Sequence, residues 1–223
     1  IVHPDNGSGS QRVDRLQYYG KSDGVAYGTL KAIIVDFGGL ALTRTYERDL
    51  IGNAVRIFDE EGNDVVRCVS ELGQVFRQWS RKVAEDGPRT RIDFYHDARN
   101  NLIGREVANL DAQGEVVAAN PVLSTSWEYE RLGRLVRVAH EVEPGGAVVT
   151  EYEYDANRNR TLVRYGEATS GAQPENTLTT VYDELDRVYR RIRAAGSPAQ
   201  STSQLDYDGA SRPIRLAEGL EGA

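Results

Sequence analysis

Hydrophobic and polar positions alternate with period two over most of this chain. Trp127 and Tyr129 flank Glu128, and Tyr152 and Tyr154 flank Glu153, the spacing of a strand with one packed and one wet face. Leu135-Val136-Arg137-Val138-Ala139-His140 and Val188-Tyr189-Arg190-Arg191-Ile192-Arg193 are rich in β-branched residues and arginine, and they predict return strands. Val148-Val149-Thr150-Glu151-Tyr152 begins another, after a reversal at Glu143-Pro144-Gly145-Gly146. No stretch longer than ten residues carries a helical apolar stripe. The chain is expected to be all-β, with tandem β-hairpins forming a curved or spiralling antiparallel sheet.

Recurring turns punctuate the alternation. The clearest are Tyr154-Asp155-Ala156-Asn157-Arg158-Asn159-Arg160, Tyr182-Asp183-Glu184-Leu185-Asp186-Arg187-Val188 and Tyr207-Asp208-Gly209-Ala210-Ser211-Arg212. Looser copies run from Tyr129-Glu130 to Gly133-Arg134-Leu135, from His96-Asp97 to Asn100-Asn101-Leu102, and from Phe58-Asp59 to Gly62-Asn63-Asp64. Leu110-Asp111 to Gly114-Glu115-Val116 and Val35-Asp36 to Gly39-Leu40 are more degenerate, and Val69-Ser70 to Gly73-Gln74-Val75 is the weakest. Intervals between the turn anchors vary from 11 residues (59 to 70) to 28 residues (155 to 183). Such variation fits hairpins of differing loop length better than a strict solenoid, and each unit buries its apolar face by lying against its neighbours.

The acidic residue and the glycine are three apart, which is the signature of a type I turn. Asp at the first position accepts from backbone N–H groups two residues on, and the residue at the fourth turns left-handed to close a bulged hairpin. Gly62, Gly114 and Gly133 are therefore expected at φ > 0. Asn100 and Asp186 are the next-best residues for that conformation. Arg158 and Ser211 are poor ones, so their turns are either strained or of another type.

Composition narrows the picture. Of 223 residues, 39% are hydrophobic, and tyrosine supplies 12 of the aromatics against 2 Trp and 4 Phe. A thick dry core is not expected, because tyrosine packs its ring while keeping its hydroxyl wet. The formal charge of −7 argues against nucleic acid or an anionic membrane as partner. No apolar run approaches the ~18 residues of a membrane-spanning helix. Cys68 is the single cysteine, so no intrachain disulfide forms. The absence of methionine gives the expectation of a piece of a longer chain. Residues 1–30 fit the repeat least and are read as an irregular N-terminal segment or early divergent repeats, with Asn6-Gly7-Ser8-Gly9-Ser10 and Ser22-Asp23-Gly24 as turns. Residues 31–223 are read as one repeat array.

The tandem turns resemble the YD-repeat, or Rhs-repeat, family of Rhs polymorphic toxins, the C component of insecticidal toxin complexes and the extracellular part of teneurins. The family pattern is roughly Tyr-x-Tyr-Asp-x-x-Gly-Arg-Leu. Tyr152 to Arg160 is close to it, and Trp127 to Leu135 matches with Glu130 for Asp; the resemblance covers about residues 35–216. It implies a long sheet spiralling into a hollow shell that holds a cytotoxic C-terminal domain, in a secreted or cell-surface bacterial protein. The Asp-Pro-x-Gly motif that often closes such repeats has no counterpart before Glu218-Gly219-Leu220-Glu221, so no cleavage site is placed. The implied partners are the remainder of a larger YD-repeat chain and an enclosed toxin domain, with self-association through open sheet edges.

Two functions in different classes follow. The first is a non-enzymatic section of a β-shell that encapsulates a C-terminal toxin or effector. The alternative is an extracellular recognition or adhesion module binding glycan or protein, with Trp79 and Trp127 as candidate ligand-facing aromatics. No catalytic residue, cofactor or metal is expected. Asp59, Asp97, Asp155, Asp183 and Asp208 would be conceivable calcium ligands or catalytic carboxylates, but a group recurring at the same point of every unit fits turn capping, whereas a catalytic pair occurs once. His3, His96 and His140 lack metal-ligand spacing, and His96 takes the tyrosine place of its repeat. Asn6-Gly7-Ser8 and Asn159-Arg160-Thr161 match the glycosylation pattern. The arginines at 134, 187 and 212, and on the return strands, are expected to pair across strands with glutamates.

Overall fold

The structure, a computed structural model, describes residues 1–3, 12–24, 27–36, 39–80, 89–119 and 122–220. The expected turn and glycosylation site at Asn6–Ser10, and Glu221 at the end, lie outside the described residues.

The period-two segments are strands. In chain order they are β1 (Arg15–Tyr18), β2 (Leu30–Val35), β3 (Leu42–Arg48), β4 (Ala54–Phe58), β5 (Asp64–Val69), β6 (Val75–Trp79), β7 (Arg89–His96) and β8 (Leu102–Leu110). They continue as β9 (Leu123–Tyr129), β10 (Leu135–Glu143), β11 (Gly146–Tyr154), β12 (Arg160–Arg164), β13 (Thr177–Tyr182), β14 (Val188–Arg193), β15 (Ser201–Tyr207) and β16 (Pro213–Glu218). The sixteen follow one another in the sheet in sequence order, with β1 and β16 at its two ends. Defined registers are antiparallel throughout. β1 lies within the N-terminal stretch read as irregular and pairs with β2. Among the described residues the helical ones are few: a 3-10 turn at Lys21–Asp23 and one short helix, α1 (Gly166–Ser170). The helix interrupts β12 and β13 and is tied to the sheet by Thr169 Oγ1, which donates to the Val149 carbonyl at 3.1 Å.

The chain forms two compact units, Ile1–Tyr95 with Arg105–Val122, and His96–Gly104 with Leu123–Ala223. The division falls inside the stretch read as one array. Among the described apolar residues, Ala32, Ala108, Leu110 and Val163 are buried. Most strand residues are half-covered instead, in keeping with the tyrosine-rich composition. Hydrogen bonds and cross-strand side-chain pairs must therefore carry more of the stability than a core does.

Strand pairs slip register next to the turns, between Glu153 and Tyr154, Val181 and Tyr182, and Asp206 and Tyr207. A slip of this kind is a bulge, which leaves one extra residue on a strand and bends it. Here the extra residues are Thr161, Tyr189 and Ile214 on the return strands, and each bulge lies opposite the tyrosine of the motif.

Candidate functional site

The repeated turn is the first structure to build from its residues. In every copy but that at Asp36, the residue three after the anchor donates its N–H to the anchor's carbonyl, and the anchor's own N–H donates to the carbonyl four residues on. Distances are 3.1 and 2.9 Å for Asp59, 3.0 and 3.0 Å for Asp97, 3.1 and 2.9 Å for Asp111, and 3.0 and 2.9 Å for Asp183. The side chain adds two more bonds. Asp97 Oδ1 accepts from the N–H groups of Arg99 and Asn101 at 2.8 and 2.9 Å, and Asp208 Oδ1 from those of Ala210 and Arg212, both at 2.9 Å. Asp111, Asp183 and Asp59 repeat this arrangement. Donors aimed at an ionised oxygen favour the charged form. Accordingly Asn101, through its side-chain amide and then its backbone, holds the Asp97 carboxyl below its ordinary range. Arg187 does so for Asp183, and the Arg212 backbone N–H and guanidinium do so for Asp208.

Gly62, Gly114 and Gly133 have φ of 83°, 86° and 78°, and Asn100 and Asp186 stand at 67° and 58°. Arg158 and Ser211 take the same left-handed state, at 77° and 62°, with the turn hydrogen bonds intact at 3.2 and 3.0 Å. Of the two alternatives for those residues, the strained turn is the one adopted. The weakest copy is complete: Ser70 stands in for the acid, Gly73 N donates to its carbonyl at 2.9 Å, and Gln74 N donates to its hydroxyl at 3.2 Å. The Asp36 copy is a different turn. Asp36 itself is left-handed (φ 57°), and both Gly39 and Ala41 donate to its carbonyl. One copy escaped the sequence reading. Asp49 to Asn53 forms the full turn, with Gly52 at φ 97°. Its signal, Asp three before Gly, was present, but Arg48 occupies the tyrosine place.

The residue four after the acid reaches back to it. Asn63, Asn101 and Asn159 donate side-chain N–H to Asp59, Asp97 and Asp155, at 2.9 Å for Asn101 and 3.1 Å for Asn159. Arg134, Arg187 and Arg212 do the same through Nε, to Glu130, to Asp183 at 2.7 Å and to Asp208 at 2.7 Å. Glu130 is one methylene longer than Asp and takes Arg134 with both carboxylate oxygens, the second from Nη2 at 3.0 Å; this ion pair holds its carboxyl low and raises the guanidinium. These arginines therefore pair within their own turn, correcting the cross-strand expectation. Arg137 follows the expectation and meets Glu128 across the strand pair at 2.5 Å. In the Asp155 turn Asn159 takes the family arginine's place, and Arg160, at the leucine place, lies over the Tyr152 ring (5.3 Å). Asn159 also donates to Asp186 at 2.6 Å, so its amide is engaged on two sides and is a poor sugar acceptor.

The motif tyrosines link one turn to the next. Tyr129 Oη donates to the Leu102 carbonyl at 3.1 Å, Tyr154 to Leu135 at 2.8 Å, Tyr182 to Arg160 at 3.2 Å and Tyr207 to Val188 at 2.8 Å. Each acceptor is the residue five after a turn acid, Asp97, Glu130, Asp155 or Asp183, where a return strand begins; for Tyr129 the Asp111 turn lies between. Arginine reinforces two of these links. Arg134 lies 4.9 Å from the Tyr154 ring centroid and donates to the Asp155 carbonyl at 2.9 Å. Arg187 lies 4.5 Å from the Tyr207 ring and donates to Ser211 Oγ at 3.1 Å.

A second feature lies in β4–β7. Arg56, Val66, Trp79 and Arg91 form one cross-strand row, with Cys68, Arg77 and Asp93 in the next. Asp64 and Asp93 are buried on this face, at 4% and 6% exposure. Asp64 accepts from Arg56 Nε at 2.6 Å and from Arg89 Nη2; Asp93 accepts from Arg77 Nε and from Arg91 Nε at 2.9 Å. The Asp93 contact raises the Arg77 guanidinium. Beside this cluster opens a cleft of about 370 Å³ lined by Val66, Trp79, Arg89, Leu110 and the turn Asp111–Gly114. Trp79 is thus at a cleft, whereas Trp127 packs opposite Val138 in β9–β10. Sequence reasoning missed the two clamped aspartates, because a buried strand carboxylate looks like a solvated one until its neighbours are known.

Among the described residues, no group of three His, Cys, Asp or Glu side chains is gathered as a metal site would require, and no helix is long and apolar enough to cross a membrane.

No protein-family model and no curated protein matches the chain. Solved structures are similar at low level. The complex of TcdB2-TccC3 with Cdc42 matches with 14% identity and a TM-score of 0.36, covering 93% of this chain and 14% of that one. The Photorhabdus luminescens Tc holotoxin pore matches with 15% identity and a TM-score of 0.38 over the same shares. TcdB2-TccC3 without its hypervariable C-terminal region matches with 14% identity and a TM-score of 0.38, again over 93% and 14%. The chain therefore spans about one seventh of the length of these solved chains.

Proposed function

We propose that this chain is a section of a non-enzymatic β-sheet scaffold that encloses a C-terminal toxin or effector domain of a larger bacterial protein, secreted or at the cell surface. The observation that carries the reading is the tyrosine-to-carbonyl link repeated at 129, 154, 182 and 207. It commits the motif's polar groups to joining one hairpin to the next, which is the requirement of a wall. The turn carboxylates are likewise committed to backbone N–H groups and to their own Asn or Arg. The tandem motif itself, with its resemblance to YD-repeat shells, supplies the cargo. On this reading the wall acts by confinement, keeping proteases off a domain that is loosely folded inside. The flanking repeats would cover β1 and β16, which stand at the ends of the sheet.

The test is limited proteolysis of the full-length parent protein. The C-terminal domain should resist cleavage in the intact protein and become sensitive when Tyr154, Tyr182 and Tyr207 are all changed to Phe. Equal cleavage of that domain in the two proteins would overturn the reading.

A further inference from the structure

We propose that the cleft at Trp79 binds a sugar acid, a pyranose ring carrying one carboxylate. The site goes beyond the scaffold reading and does not depend on it.

Among the described residues, four arginines, Arg56, Arg77, Arg89 and Arg91, stand around two carboxylates, Asp64 and Asp93. Of the charged side chains lining the cleft, Arg89 is the cation, and the one acid, Asp111, has Oδ1 taken up by the N–H groups of Gln113 and Glu115. The arginines are also held in place. Asp64, with a side chain 5% exposed, grips Arg89 by one terminal nitrogen and Arg56 by Nε. Arg89 lines the cleft with its orientation fixed. A guanidinium held from behind and presented to a cleft is suited to a carboxylate, which it meets with parallel N–H donors.

Trp79, Val66 and Leu110 make the lining largely apolar. A ligand must then carry a flat apolar surface on one side and an anion at one edge. The C–H face of a pyranose meets the electron-rich face of an indole in this way. Spacing limits the size. Arg91 is the direct cross-strand partner of Trp79, and Arg89 stands two residues before it, a diagonal separation of about 7–8 Å. One six-membered ring with its carboxylate bridges that distance. The 370 Å³ volume is at the small end of ligand sites, and Gln113 at the rim offers an amide to ring hydroxyls.

An acidic peptide fits less well. β5 and β6 are hydrogen-bonded to strands on both sides, so no edge is open for strand addition, and one aromatic in a short cleft is not the extended groove that helices or proline-rich segments occupy.

The experiment titrates the chain at low salt with methyl glucuronide, with uncharged methyl glucoside and with a penta-glutamate peptide, reading tryptophan fluorescence in a Trp127→Phe background. The expected result is saturable binding of the glucuronide, at least tenfold weaker binding of glucoside and peptide, and at least tenfold loss in Arg89→Gln. A second variant, Trp79→Leu, read by calorimetry, should lose binding to the same degree while keeping the circular dichroism of the parent. Equal binding of glucuronide and glucoside, tighter binding of the peptide, no glucuronide binding up to millimolar concentration, or undiminished binding in folded Arg89→Gln or Trp79→Leu would each overturn the proposal.

Discussion

The hydroxyl of Tyr154 donates to the carbonyl oxygen of Leu135 at 2.8 Å, joining the end of β11 to the start of β10. Tyr207 makes the same bond to Val188 at the same distance. The tyrosine of each motif is thus a tie to the previous turn, and the arginine of that turn lies over its ring.

Tyr154→Phe and Tyr207→Phe keep the ring and remove the tie. Each should cost about 0.5–1.5 kcal/mol, the net worth of one intramolecular hydrogen bond. Urea unfolding checks this, and an unchanged midpoint in both variants would show that the links are incidental to stability.

Gly133 and Arg158 occupy the same left-handed place of two turns, at φ 78° and 77°. A Cβ on Gly133 would meet nothing within 4 Å, so Gly133→Ala suffers backbone strain alone and should cost about 1–2 kcal/mol. Arg158→Gly relieves the same strain and should stabilise by up to ~1 kcal/mol after the entropy of the added glycine is subtracted. Thermal melts of the two variants should move in opposite directions.

Asp97, Glu130, Asp183 and Asp208 have carboxyls lowered by the donors that face them. A group lowered in the folded state adds stability that is complete above its unfolded value, near pH 4 for carboxylates, and is lost as pH falls through the folded value. The melting temperature should therefore be insensitive to these groups from pH 5 to 8 and should drop below about pH 4. The drop should be shallower in an Asp183→Asn, Asp208→Asn double variant; equal acid sensitivity would show that these turns do not govern it.

Asp64→Asn preserves shape but leaves Arg56 and Arg89 without their shared carboxylate. The loss should be about 1–3 kcal/mol, the cost of stranding a charged hydrogen-bond partner in a half-covered site. A chemical denaturation midpoint indistinguishable from the parent would mean that water replaces the carboxylate at no cost.

Much of the fold was legible in the sequence. The alternation placed the return strands at 135–140 and 188–193, within β10 and matching β14. The acid-to-glycine spacing located the turns, because a bulged hairpin is decided by residues within five positions of one another. Reading by motif also had costs. Expecting an aromatic or apolar residue before the acid hid the Asp49 turn, which Arg48 completes by donating to the carbonyls of Leu30 and Gly52. Expecting Gly at the fourth place left Arg158 and Ser211 undecided, although the hydrogen bonds on either side of each turn were enough to impose the left-handed state.

The candidate site was less legible. Trp79 was singled out as an exposed aromatic, yet Arg89, Asp64 and Leu110, which make its surroundings a cleft, lie 10, 15 and 31 residues away. The acceptors of the tyrosine links are similarly distant, from 19 to 27 residues back along the chain.

The chain by itself determined where it bends and which residues alternate, since both follow from short-range sterics and hydrogen bonding. Which tyrosine meets which carbonyl, and which arginines share a buried carboxylate, was settled only when strands of unequal spacing paired in register. Loop lengths between the turns vary from one repeat to the next, so no fixed period in the sequence encodes those distant contacts; the pairing of whole strands does.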